Sequence, residues 1–534
     1  MPTTDCHPIT VAPGMSRLFL DFCAAEPSVR RFYGNALNPD WRERPAAPEH
    51  WAALIEILEE QNPGPAAAAS IQALREGAGT TVTGQQVGLF GGPLFTPFKA
   101  ATALARAREA TAAGHPHVTV FWLASEDHDF DEINHVVFPT RRDLRTLVYE
   151  GAPQDTVPVG GVLLDGPIEP LLEQLGEAID HSEALDALKE AYQPARTFAQ
   201  AFGEFYRRVF AAQGMLVLDP HGAAVHRLGA PVLRAAIERA DEFTAALVER
   251  NRELERAGYH AQVLVGDQSS LLFLIDEKTG ARTALKRLPE TAGEPNGEWQ
   301  AGSERYSTSD LLGILSSQPE RISPSALLRP VFQDYLLSTS LTIGGPAEIA
   351  YFAQSAVLFE RIMGRSTPVQ PRLSASIVEP DIAELLKKHE LSLERVFDQT
   401  EDGLAQLISA RALPVEAKRK LAAAGNSMDD ELTALVEWMH AMDAGLGQSG
   451  DTAAGKIRYQ MNRLRQLAAN FQMQKEASLR RHAEAIHRSL FPEGQLQERV
   501  HGAAWYFARH GLGLAETLVE RAADRCGGHI ALYM

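Results

Sequence analysis

The chain has 534 residues, too many for one hydrophobic core, so roughly two to four domains are expected. Charged residues make up 22%, hydrophobic ones 45%, and the formal net charge is −18; this is an ordinary soluble composition with the wrong sign for general binding to DNA or RNA. Cys6, Cys23 and Cys526 lie far apart without CxxC spacing, so neither a disulfide framework nor a zinc cluster is expected, and a reducing cytoplasm fits.

The opening MPTTDCHPITV lacks the basic-then-apolar pattern of a signal peptide, and no apolar run approaches about 18 residues, so no membrane partner is expected. Residues 1 to about 75 read as helical, with Trp51, Leu54, Ile55 and Leu58 on one face. Gly77 to Gly84 leads into a strand, TTVTG, followed by a helix from about Leu94 to Ala113 that stops at Gly114. Val118 to Ala124 is a continuous apolar run, as in a strand buried on both faces, and the connection is a right-handed βαβ unit.

Val157–Leu164 and a helical stretch, Pro170–Ala191, read as an insertion. Phe198–Phe210 reads as a helix, Met215–Leu218 as a strand ended by Asp219-Pro220, and Leu233–Ala257 as a helix. Gln262–Val265 and Leu271–Ile275 read as a hairpin around Gly266-Asp267, and Thr291–Ser303 as a loop.

From Asp381 strand signals vanish and charged helices run to about Leu490. Ser427-Met428-Asp429-Asp430 resembles a capping box with Asp in place of Glu or Gln, and Leu432, Leu435, Val436 and Met439 follow at helical spacing. Gly445–Gly450 reads as a turn, after which Ile457, Leu464 and Phe471 fall seven apart with Leu467 between. Two antiparallel helices, a hairpin or coiled coil, are predicted, although Leu479 and Ile486 are out of phase. Met473 and His487 read as surface or seam positions. Such an arm has too little core of its own, so a partner subunit or the main body is expected to cover it. The fold class is therefore α/β: a parallel-sheet core divided as 1–155, 156–212 and 213–379, a helical arm at 380–490, and a segment at 491–534 that returns to the core.

Three stretches could carry chemistry. The first runs from Gly84-Gln85-Gln86 through Gly91-Gly92-Pro93 to Lys99. Glycine amides can approach an anion and Lys99 adds charge, although neither the Walker pattern nor GxGxxG is present, and a turn needed only for packing is the plainer alternative. The second is Glu126-Asp127-His128-Asp129 with Asp131, Glu132, Asn134 and His135. Placed after a buried strand, these groups could do acid–base work or hold a metal; a solvated acidic loop is the alternative, and zinc-hydrolase spacing is absent. The third joins Ser323-Pro324-Ser325 and Arg329 to Gly344-Gly345, Glu348 and Tyr351. Glu348 at a helix start would attract an amine, or simply cap the helix. Arg372, in Pro371-Arg372-Leu373-Ser374, is as readily a structural ion-pair partner.

Taken in order, TGQQVGLFGGPLFTPFK, FWLASEDHDFDEINH, SPSALLRP, GGPAEIAYFAQ, PRLS and LFPEGQLQERV resemble the cysteine-adding enzyme family of bacillithiol biosynthesis. The resemblance runs from about residue 80 to the C-terminus. It implies a ligase that joins L-cysteine to glucosaminyl-malate. It also implies a Rossmann-like core akin to class I aminoacyl-tRNA synthetases, with insertions, and a helical arm used for homodimerisation. GGPLFTPFK occupies the place of the HIGH signature, but neither HIGH nor KMSKS is present. An adenine nucleotide, ATP or another, is the expected co-substrate, with Mg²⁺ accompanying it.

Amide formation in water needs an activated carboxyl. On this reading the loop at Gly84, Gly91, Gly92 and Pro93 with Lys99 holds phosphate. Gln85, Gln86, Glu126, Asp127, Asn134, Gly344, Gly345, Glu348, Tyr351, Arg329 and Arg372 hold the substrates, and His128 or Asp129 takes the amine proton. The alternatives are a synthetase-like aminoacyl or nucleotidyl transferase acting on another amine, a metal-dependent hydrolase, and a non-catalytic assembly factor working through the arm.

Overall fold

The computed structural model describes residues 2–34, 40–140, 142–179, 181–266, 268–288, 298–475 and 477–534. The chain opens on a strand, β1 (Thr3–His7), where helix is predicted. The helices Arg17–Cys23, Pro27–Tyr33, Trp51–Gln61 and Pro65–Arg75 then follow as expected. Trp51–Gln61 buries Leu54, Ile55 and Leu58, the face its spacing indicates.

β2 (Gly79–Gln85), α1 (Phe95–Ala112) and β3 (His117–Leu123) form the predicted βαβ unit, with Gly79 opposite His117 and Gln85 opposite Leu123 in parallel register. Val118, Val120 and Trp122 enter one apolar cluster and Phe121 and Leu123 the other, so β3 is covered on both faces. This is why its sequence does not alternate.

β4 (His135–Pro139) and β5 (Leu144–Val148) add a hairpin that the sequence reading misses. The predicted helix Pro170–Ala191 is two helices, Ile168–Ala178 and Glu183–Ala191, because Ser182 caps the second by accepting from the Leu185 amide. Helix Phe198–Val209 starts at a Thr197–Gln200 capping box, and β6 (Leu216–Leu218) pairs with β3. The single helix expected from Leu233 is likewise two, α2 (Ala223–Glu238), which contains Pro231, and Ala240–Arg256.

A five-stranded antiparallel sheet follows: β7 (Ser269–Ile275), β8 (Arg282–Arg287), β9 (Glu298–Ala301), β10 (Glu304–Ser307) and β11 (Ile322–Pro324), in the order β10-β9-β8-β7-β11. It corrects two expectations. Residues 262–265 are not a strand: the Gln354 side chain satisfies the Val263 backbone, its Oε1 accepting at 2.9 Å and its Nε2 donating at 2.7 Å. Part of the expected loop Thr291–Ser303 is β9; its residues 291–297, like Asp267, lie outside the described residues.

β12 (Leu341–Gly344), α3 (Pro346–Met363) and β13 (Val369–Pro371) complete the central sheet, ordered β13-β12-β2-β3-β6 and parallel throughout. The sheet grows from β2 through β3 to β6, then restarts at β12 on the other side of β2. The strand order therefore reverses between β2 and β12, and open α/β sheets hold ligands at such a crevice.

β14 (Ser374–Val378) leads to the arm, α4 (Val415–Met442) against α5 (Ala444–Lys475), followed by α6 (Ala477–Leu490). The hairpin forms as predicted, with three differences. Ser427-Met428-Asp429-Asp430 lies inside α4 and caps nothing. The reversal is at Asp443, whose Oδ1 accepts from the Gly445 and Leu446 amides at 2.8 and 2.9 Å. Gly447 and Gly450 lie within α5, where a Cβ would overlap His440 or crowd Met439, so these glycines permit close helix approach rather than a turn. Lastly, the inward residues of α5 are Ala454, Met461 and Ala469, while Ile457, Leu464, Leu467 and Phe471 face solvent. His487, in α6, is buried against Phe491, and Met473 packs beside the same cluster.

β15 (His529–Tyr533) inserts between β1 and β14 and brings the two ends of the chain together. Cys6 and Cys526 form a disulfide there, with Cα atoms 5.8 Å apart, contrary to the expectation of unpaired cysteines. A separation of 520 residues gives no local signal of it.

Candidate active site

The carboxyl ends of β2, β3, β6 and β12 place Gln85, Ser125-Glu126-Asp127-His128, Asp219 and Gly344-Gly345 along one edge of the sheet. Three polar assemblies form there.

The first bridges the β2/β12 crevice. Lys99 of α1 is buried, and its Nζ donates to the Gly84 carbonyl at 2.9 Å and to Gln85 Oε1 at 2.8 Å, and pairs with Glu348 of α3. An ammonium has three donors, so all three have partners. Glu348 also accepts from the Gly345 amide at 2.8 Å. Arg329 donates to the Tyr351 hydroxyl at 2.6 Å, and that hydroxyl lies 3.5 Å from Glu348. Burial alone would raise the Glu348 pKa; Lys99 and then Arg329 outweigh it and hold the carboxyl below its usual range. Glu348 is thus already matched by internal cations.

The second assembly is a buried pair. Glu126 Oε1 lies 2.6 Å from Nε2 of His226, which α2 brings to the sheet edge. Burial opposes both charges, yet each partner favours the other's ionised form: the His226 pKa is raised and that of Glu126 lowered.

In the third, Arg282 of β8 donates from Nη1 to His128 Nδ1 at 2.8 Å. Its other donors reach Ser323 Oγ at 3.2 Å and the Pro324 carbonyl at 3.1 Å, and its guanidinium lies 3.6 Å from the Phe273 ring centre. Arginine cannot accept a hydrogen bond, so the proton of a neutral His128 sits on Nε2. Burial, followed by the Arg282 charge, holds its pKa below the usual histidine value. In this arrangement His128 presents a donor, which opposes the predicted role as base.

The remaining predicted residues divide. Gln86 donates to Asp127 Oδ2 at 2.8 Å and lines a pocket of about 210 Å³ with Gln85, Pro93, Glu132 and Arg499. Burial first, then the Asp127 and Asp129 charges, keep the Glu132 pKa raised. Asp129 caps the short helix Phe130–Ile133, and the Asn134 carbonyl accepts from Tyr149 at the hairpin base. Arg372 donates to Glu498 at 2.7 Å with both side chains buried, the structural ion pair that the sequence left open, and its amide donates to the Gly344 carbonyl.

Gly91 and Gly92 do not form an open anion cradle. The Gly91 amide donates to the Tyr192 hydroxyl at 3.0 Å and the Gly92 amide to the Leu89 carbonyl at 3.0 Å. Both residues have positive φ, and a Cβ on Gly91 would overlap the Phe205 ring. The glycines serve a left-handed turn pressed onto a helix. Among the described residues, no group of three or more His, Cys, Asp or Glu side chains is placed to hold a metal ion. The residues that sequence reasoning missed are His226, Arg282 and Glu498.

Val159 and Gly160 strap this edge: their amides donate to the Asp127 carbonyl at 2.7 Å and the Ser125 carbonyl at 2.8 Å. A Cβ on Gly160 would overlap Ser125. Gly160→Ala is therefore expected to displace the 125–128 loop, costing about 1–3 kcal/mol of stability. Turnover should fall by at least about tenfold, the equivalent of 1.4 kcal/mol in the barrier. Thermal denaturation and steady-state kinetics on the purified variant check both.

A parallel doubly wound sheet with the Lys99–Glu348 pair at its switch point, joined to a helical hairpin, defines a two-domain α/β protein with a ligand crevice. Residues 4–373 match the model of the bacillithiol biosynthesis BshC N-terminal Rossmann-like domain, and 375–534 match that of the BshC C-terminal coiled-coil domain. A protein of Koribacter versatilis (strain Ellin345) is 38% identical over 535 residues, 98% of either chain. One of Solibacter usitatus (strain Ellin6076) is 35% identical over 525 residues, 97% of either chain. One of Salinibacter ruber (strain DSM 13855 / M31) is 31% identical over 523 residues, 94% of this chain and 93% of its own. Each carries the name "Putative cysteine ligase BshC". The chain belongs to the BshC family of bacillithiol biosynthesis and, with it, to the ligases. The boundary between the two matched domains falls before β14, so β14 and β15 go with the arm.

Proposed function

We propose that the protein forms an amide between the carboxyl of L-cysteine and the amine of glucosaminyl-malate, the last step of bacillithiol biosynthesis, after nucleotide-dependent activation of the carboxyl. The observation that carries this reading is the Lys99–Glu348 pair, which spans the switch point between β2 and β12 with Arg329 beside it. Charges matched internally at a ligand crevice can exchange partners. A substrate ammonium competes for Glu348, and a substrate carboxylate or phosphate competes for Lys99 and Arg329. With the Gly91 and Gly92 amides engaged elsewhere, these cations and Arg282 are the groups that would face a nucleotide phosphate, with Mg²⁺ accompanying it. His128, as an Nε2–H donor, suits an oxygen gaining negative charge. Asp127, partly exposed and beside Gln86, takes the amine proton in this reading. No helix among the described residues is long and apolar enough to cross a membrane, and a cytoplasmic setting with free cysteine and ATP is part of the proposal.

The test is incubation of the purified protein with cysteine, glucosaminyl-malate and ATP, with mass detection of products. Amide product that depends on all three supports the reading, and AMP or ADP identifies the activation. Product without ATP, or ATP turnover without cysteine, overturns it.

A homodimer through the arm belongs to the same proposal. Ile457, Leu464, Leu467 and Phe471 are 45–68% exposed, and Trp438 and Met442 of α4 are also exposed. A stripe of this length invites a second apolar surface. The triple change I457D/L464D/F471D is expected to halve the mass measured by light scattering while leaving the helical circular dichroism intact. An unchanged mass would remove the arm from the dimer.

A further inference from the structure

The Cys6–Cys526 disulfide lies at the wall of a second cavity, away from the β2/β12 crevice. Cys6 is exposed on β1, and Cys526 lines a space of about 300 Å³. Four arginines line that space, Arg106, Arg372, Arg521 and Arg525, with no Asp or Glu among the lining residues. Four arginines around one cavity stand out in a chain of net charge −18. Their carboxylate partners lie outside the lining: Glu498 pairs with Arg372, Asp524 with Arg521, and Glu109 is shared by Arg42, Arg106 and Arg525, so at Glu109 one negative charge faces three positive ones. Phe19, Phe22 and Ile530 supply an apolar wall. Cys23 also lines the cavity, but burial pushes its thiol up to about 12, so it remains protonated and unreactive at neutral pH.

From the disulfide and the arginines together we infer that this cavity is a thiol–disulfide exchange site for a low-molecular-weight thiol that carries carboxylates. The arginines hold the carboxylates and set the thiolate beside Cys526. The thiolate sulfur attacks Cys526 Sγ and the Cys6–Cys526 bond breaks. Cys526 becomes a mixed disulfide, and Cys6 leaves as a thiolate into solvent. A second thiolate then attacks the mixed disulfide, releasing the oxidised small thiol and leaving the Cys526 thiolate, so two thiols are oxidised for each protein disulfide reduced. Five residue pairs still join β1 to β15 when the bond is open. The back wall, Arg372, donates its amide to Gly344 at the candidate active site, which puts the two cavities in contact through one residue. If the physiological thiol is the product proposed above, the site responds to product; only that identity rests on the proposed function, because the exchange itself can be tested with an unrelated anionic thiol.

The experiment uses the full-length oxidised protein, with glutathione as the anionic thiol and 2-mercaptoethanol as the neutral one, at equal thiolate concentration. Samples are quenched by alkylation and read by mass spectrometry. Glutathione is expected to open the disulfide at least about tenfold faster, with the adduct on Cys526, and the advantage should collapse in about 0.5 M salt and in Arg521→Gln and Arg525→Gln. Equal rates for the two thiols, an advantage that survives both salt and the substitutions, or air-oxidised protein without the Cys6–Cys526 bond would each overturn the inference. Adducts found only on Cys6 would do the same.

Discussion

Lys99→Met is expected to abolish ligation, by about a thousandfold or more in kcat/KM, the equivalent of about 4 kcal/mol in the barrier. It should also lower the thermal midpoint sharply. Lys99 is the largest favourable charge beside Glu348; Lys99 is buried and Glu348 mostly so. Without it a carboxylate remains in the interior, and breaking a buried pair from one side costs about 3–5 kcal/mol. Glu348→Gln should destabilise in the same way, by stranding Lys99. The informative variant is the double one, K99M/E348L, in which both charges disappear. Buried pairs replaced together by apolar residues often lose little stability, so its midpoint should recover while activity stays lost. A double variant that regained both would make the pair a structural device and remove the main support for the ligase site. Thermal denaturation read beside product formation on the three proteins separates these cases.

How much of this was legible in the sequence depended on distance along the chain. β2, α1 and β3 were plain because a glycine-bounded helix lies between two short β-rich runs, and because β3 is apolar on both faces. That placed Lys99 and the Glu126–Asp129 stretch at one sheet edge. Their partners could not be found locally: His226 is 100 residues from Glu126, and Arg282 is 154 from His128. Neither carries a motif; His226 looks like any histidine on an apolar helix face. The glycines misled for a related reason. Glycine reports the backbone conformation that a turn needs, not where its amide points, and at Gly91 the amide points at Tyr192. In the arm, the heptad spacing gave the period but not the inward stripe. Large residues at Ile457, Leu464 and Phe471 looked like a seam, but small Gly447 and Ala454 let the helices approach more closely on the other face.

The Glu126–His226 pair yields the other large effect, with a pH signature of its own. In the wild type the His226 pKa is raised above the ordinary value of about 6.5 by Glu126, against burial. The stability it contributes is therefore complete below that ordinary value and fades as pH rises through the folded one. Glu126, lowered below its ordinary range by His226 against burial, contributes above that range and loses its share as pH falls. Between those limits Glu126→Gln should cost about 3–5 kcal/mol, because it leaves a buried imidazolium or forces its deprotonation. It should also reverse the sign of the histidine contribution. Without the anion, burial is the largest influence left on His226, opposed only by backbone hydrogen bonds at Pro319 and Ile322, and it lowers the pKa. The unfolded chain then binds more protons than the folded one through the histidine range, and this contribution rises with pH where the wild-type one falls. The gap in thermal midpoint between wild type and Glu126→Gln should accordingly be widest near about pH 6 and narrow toward about pH 9, as the wild type loses the benefit of a charged His226. Parallel curves over that range would mean that the two side chains share a hydrogen bond without sharing charge. The carboxylate at the end of β3 would then be held by geometry alone, and its ionisation would say nothing about the electrostatics of the neighbouring site.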